Sequence, residues 1–126
     1  MKQVIVGIYE AGYEQAQLVL REGTGGEFYT IPESGSIPRI KIGADYDKWG
    51  EVVMVLLHEV EEMILTRLSC RYECCNDMAR DHAAYLFSMR HTQFSDLCAK
   101  TSEYITACLP DLAVAWKKWR KGKKKK

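Results

Sequence analysis

From residue 48 to residue 68 the chain reads KWGEVVMVLLHEVEEMILTRL. The run contains no Pro and no Gly after Gly50, and Asp47 stands before it as an N-cap. It is predicted as the longest and most apolar helix of the protein. The unbroken apolar block 52–57 predicts that the middle of this helix is buried on most sides rather than along one stripe.

Upstream, the first 43 residues read as β structure. Val4, Val6 and Ile8 alternate with a second apolar set, and 17–20, 27–31 and 39–42 are similar short runs separated by Gly and Pro. Three or four short strands follow from this, with Gly23-Thr24-Gly25-Gly26 as a hairpin turn; no Gly-Lys-Ser/Thr follows it, as a phosphate-binding loop would require. Downstream, 69–77 reads as a turn-rich connection, and 81–89 fits a strand or a helix. Thr92 is an N-cap for a helix with Phe94, Leu97, Cys98, Thr101, Ile105 and Cys108 on one face, and Pro110-Asp111 starts a last helix. The expected fold is α+β: a small antiparallel N-terminal sheet packed on the long helix, with two or three further C-terminal helices.

The 126 residues are 47% hydrophobic and 28% charged, with a formal net charge of +1. That composition excludes a disordered chain, a collagen and a long coiled coil, and no apolar run is long enough to span a bilayer. One globular domain over residues 1–116 is expected, with 117–126 as a basic tail. Those ten residues hold eight Lys/Arg and no acid, which leaves ten bases against all 17 acids in the body, a net charge of −7 there. No signal peptide is apparent, and five cysteines, an odd number with two adjacent, suit a reducing compartment; a cytoplasmic location is expected.

The chemistry concentrates in the long helix, at His58-Glu59-Val60-Glu61-Glu62. Four residues are slightly more than one helical turn, so His58 and Glu62 share a face and can grip one ion together. Glu59 lies about 100° round the helix, within reach of a water held by that ion. This is an H-E-x-x-H motif with glutamate replacing the second histidine, and a carboxylate is a legitimate zinc ligand. The flanking residues 55–57 and 63–65 are apolar, so the cluster sits where unpaired polar groups cost about 2–7 kcal/mol each. Either a cation or an arginine, Arg67, Arg71 or Arg39, would relieve that cost.

Over residues 39–68, with the strand 39–42 shortly before it, this helix resembles the active-site helix of the zincin metallopeptidases, and the chain is similar also to small phage-borne proteins of unknown function with a compact sheet and an H-E-x-x-E helix. The zincin resemblance implies a zinc-dependent hydrolase acting on a peptide or protein. His58 and Glu62 would hold Zn²⁺, Glu59 would be the general base activating the bound water for attack on a peptide carbonyl, and 39–42 would be an edge strand that holds the substrate by β-augmentation. A third ligand must come from His91 or His82. His82 follows Glu62 by about the separation found in zincins, whereas His91 is well aimed if 85–89 is a strand. Asp81 would orient a histidine or ligate directly. Tyr85 or Tyr104 would stabilise the oxyanion.

Three other readings accompany this one. Cys70, Cys74 and Cys75 with His82 lack the second pair of a zinc knuckle and read as buried thiols. Lys117, Lys118, Trp119, Arg120 and Lys121 have the composition of a weak nucleic-acid or anionic-surface contact, with charges for phosphates and indoles for stacking. The alternative to an enzyme is a non-enzymatic binding protein on the same scaffold, engaging a protein or nucleic acid through its strand edge and basic tail.

Overall fold

A computed structural model describes residues 2–30, 37–73 and 85–124. β1 (Gln3–Ala11) and β2 (Glu14–Arg21) pair antiparallel through a two-residue turn. Gly12 opens that turn with φ 73°, a left-handed conformation that glycine adopts without strain. β3 (Gly26–Tyr29) and β4 (Arg39–Gly43) complete a four-stranded sheet of order β1-β2-β4-β3.

β4 runs parallel to β2 and antiparallel to β3, so the sheet is mixed rather than purely antiparallel. The cause lies in the loop at 22–25, which is not a hairpin turn. It carries the chain across two strand spacings, roughly 10 Å, and β4 fills the slot between. The loop folds over the end of β4: the Gly43 N–H donates to Gly25 O (2.7 Å), Ala44 to Arg21 O (2.8 Å) and Asp45 to Gly23 O (3.0 Å). A Cβ on Gly43 would lie 2.5 Å from the Thr24 Cα, which reserves this position for glycine. The strand preceding the long helix is therefore interior, and the edge beside it is β3.

α1 (Trp49–Arg67) begins one residue later than Asp47 would have it. Lys48 takes the N-cap position, and its N–H donates to the Glu51 carboxylate (3.1 Å). Val52, Val55, Leu56, Glu59, Val60, Met63, Ile64 and Leu65 are buried, a stripe that widens at its C-terminal end, while Met54 is 62% exposed. The apolar block is thus buried on one side and not on most. Ser69, with φ 61°, closes the helix in the left-handed region, and the chain turns into β5 (Arg71–Glu73), paired antiparallel with β6 (Tyr85–Phe87). The segment read as turns thus contains a strand, and Tyr85–Phe87 is strand rather than helix.

From there a single helix, α2 (His91–Lys124), covers the rest of the described chain, in place of two or three helices, and at 34 residues it exceeds α1. It starts before Thr92 because the Arg90 N–H is capped by the Gln93 side chain (2.8 Å). Pro110 lies inside it on the solvent side. An interior proline costs about 3 kcal/mol, but Tyr104, Cys108, Leu112, Trp116 and Trp119 form one buried stripe that runs through it in phase, and that burial offsets the cost.

Ala16, Leu18 and Leu20 of β2 and Ile40 and Ile42 of β4 form the core with the buried stripes of both helices. The helices run antiparallel, since Trp49 stacks on Trp116 at one end (centroids 5.4 Å apart) and Gln93 Nε2 reaches Leu68 O at the other (3.5 Å). At the first end the Trp116 indole N–H donates to Ala44 O (3.0 Å), and the Trp119 N–H to Asp45 Oδ1 (3.0 Å). Among the described residues no helix is long and apolar enough to cross a membrane.

Candidate metal site

The periodicity of α1 builds the site. Glu59 occupies a position of the buried stripe, four residues after Val55 and four before Met63, whereas His58 lies one step round the helix towards solvent. Edge strand β3 closes over this point. Gly26 faces Glu59 so closely that a Cβ there would stand 2.7 Å from the Glu59 Cγ, which is why a side chain is missing at the first residue of the strand. Glu59 is 9% exposed at the side chain, His58 68% and Glu62 16%.

His58 Nε2 lies 3.1 Å from Glu62 Oε2 and 4.0 Å from Glu59 Oε1. One ligand atom from each of the three residues falls within 4.8 Å of the others. Two ligands at zinc bond lengths of about 2.0–2.1 Å on a tetrahedral ion are roughly 3.3 Å apart, so the His58–Glu62 separation fits a shared cation. The longer reach of Glu59 suits a group that contacts a water rather than the ion.

Burial pushes the Glu59 carboxyl up to about 6. The neighbouring His58 opposes that rise, the Glu62 and Glu27 charges add to it, and Arg21 opposes it. Glu27 is itself held by a two-pronged bond from Arg21 (2.8 and 2.7 Å). Neither residue of this pair was singled out from sequence, where each reads as an ordinary strand charge.

Of the three arginines that sequence offered as partners, Arg71 reaches the site. Its Nη1 donates to Glu62 Oε1 (3.1 Å), and its guanidinium stacks 4.0 Å over the Tyr85 ring and 5.3 Å from Phe28. The two oxygens of Glu62 are thus divided, Oε1 towards Arg71 and Oε2 towards His58. Arg67 instead pairs with Glu14 (2.7 Å), and Arg39 is exposed on β4.

The remaining predicted residues fall elsewhere. His91 is exposed at the start of α2, near the Leu68 end of α1, and is outside the His58–Glu59–Glu62 group. Leu68 is ten residues, about 15 Å of helix, beyond His58. His82, Asp81, Cys74 and Cys75 lie outside the described residues. Tyr104 is fully buried and donates to Ala16 O (3.1 Å), so its hydroxyl is committed to the core; Tyr85 borders the site through Arg71. Cys70 and Cys108 are buried free thiols, and burial pushes Cys108 up to about 12. In the basic segment α2 continues to Lys124, and Trp119 is a core residue at 4% exposure rather than a stacking platform.

No protein-family model, no curated protein and no solved structure matches this chain.

Proposed function

We propose that the chain is a zincin-like metallohydrolase that holds zinc at His58, Glu62 and a third ligand from outside the described residues, and cleaves a peptide or protein substrate. The observation that carries this reading is the 3.1 Å approach of His58 Nε2 to Glu62 Oε2 with a buried carboxylate, Glu59, on the adjoining turn. A bound zinc ion supplies Lewis acidity, polarising a carbonyl and bringing a water's pKa towards about 7. Glu59, with its carboxyl at about 6, is ionised at neutral pH and still close enough to neutrality to take a proton from that water and return it to the leaving amine. β3 has β4 on one side and no strand on the other among the described residues, so its free edge can hold an extended peptide beside α1. Arg71 fixes the Glu62 carboxylate so that one oxygen is left for the ion.

The same Arg71–Glu62 ion pair supports a second reading, a binding protein in which arginine alone compensates the partly buried Glu62 carboxylate. Zinc content separates the two. Protein purified without chelator should carry about one zinc per chain, His58→Ala should lose it, and His91→Ala should keep it. Wild type without zinc, or His58→Ala with zinc retained, favours the binding protein and ends the hydrolase reading.

A further inference from the structure

We propose that the last turns of α2 form a phosphate-binding face for duplex nucleic acid, independent of the metal site and blind to sequence. From residue 112 to residue 123 the helix carries no acidic residue and five bases. Lys117, Lys118 and Lys121 are all exposed, and their i, i+3 and i+4 spacings place them on one face, opposite the buried Trp116 and Trp119. Lys123 differs, being paired with Asp45 on the body side.

This face is rigid because the body holds it. Two indoles anchor the helix end through hydrogen bonds to Ala44 and Asp45, and both rings are covered by cations, Arg120 at 4.8 Å over Trp116 and Lys2 at 4.5 Å over Trp119. Docked lysines lose less freedom on binding than lysines of a loose tail. Lys117 and Lys121 are about 6 Å apart along the helix axis, comparable to the separation of neighbouring phosphates on one strand of a duplex.

The buried indoles also decide the class of partner. Single-stranded binding relies on exposed aromatic rings on which bases stack, and an interfacial membrane helix needs an apolar face free to enter the bilayer. Here both tryptophans are committed to the core, so the exposed face offers three lysines and a single exposed apolar side chain, Val114. That chemistry suits the regular phosphate array of a duplex.

The test is fluorescence anisotropy of a labelled mixed-sequence DNA duplex with the full chain between 50 and 200 mM salt. Three phosphate contacts predict a log–log salt slope of about −2.7 and an affinity loss of about 40-fold over that range. Lys117→Gln/Lys118→Gln/Lys121→Gln should abolish most of the slope. The control Arg39→Gln/Lys41→Gln/Arg90→Gln makes the same charge change elsewhere and should leave the slope intact. Absence of duplex binding at 50 mM salt, equal loss in both triple variants, unchanged binding by the α2 variant, or binding to phosphatidylserine vesicles but not to duplex would each overturn the proposal.

Discussion

Glu59→Gln is expected to lower turnover of a peptide library by about 10²–10⁴-fold while zinc content stays that of wild type. Glutamine preserves the volume packed against Gly26 and Val55 but cannot accept a proton from water. Equal turnover by the variant would reject Glu59 as the base, and loss of zinc would make it a ligand instead. The same substitution should stabilise the metal-free protein near neutral pH. Burial holds the carboxyl at about 6, above its ordinary value of 4.5, so the folded state prefers the protonated form. That preference is fully present below the ordinary value and is lost as pH rises through about 6, an interval that corresponds to ~2 kcal/mol. Urea unfolding should therefore find Glu59→Gln more stable than wild type by about 2 kcal/mol at pH 7.5, with the gain gone at pH 4. A gain equal at both values would refute burial of the ionised group as its source.

Trp116→Ala should cost about 3–5 kcal/mol of stability, a large part of what a domain of this size possesses. The side chain is 6% exposed, stacks on Trp49 and donates to Ala44 O, so its removal opens a cavity and leaves a carbonyl unpaired. Trp116→Phe should fall between, since it restores most of the volume but not the hydrogen bond, whose loss costs about 1–3 kcal/mol. Urea midpoints of the three proteins give the series directly. A cost under about 1 kcal/mol for the alanine variant would mean that the end of α2 is not docked as described.

Features set by a short period were legible in the sequence. Alternation marked the strands, a run free of Pro and of Gly after Gly50 marked α1, and the 3.6-residue turn put His58 beside Glu62. The burial of Glu59 was also open to that arithmetic, because it falls in step with Val55, Leu56 and Met63, although the apolar block beside it pointed to a helix buried all round. Strand order was not legible. Nothing in residues 39–43 says that they pair with β2 as well as β3, since pairing across the sheet has no local signal. Pro110 misled for the opposite reason: its local meaning is a break, and only the buried stripe on both sides of it argues continuity. Gly26, within a run that reads as a turn, was invisible as the residue that lets β3 close on Glu59. Arg71 was one of three candidates, and choosing among them required the position of β5.

The insertion of β4 between β2 and β3 also ties the site to a pairing that is remote in sequence. The β1–β2 hairpin needs only a two-residue turn, whereas β2 and β4 pair across about twenty residues of chain, a closure that costs more chain entropy. α1 follows β4 directly, and Glu59 meets Gly26 only when β3 and β4 are both seated. The enclosure of Glu59 is therefore non-local, whereas one turn of α1 brings His58 and Glu62 together by itself. A chain with the hairpin formed and the slot empty has the motif but not the burial that pushes the Glu59 carboxyl up.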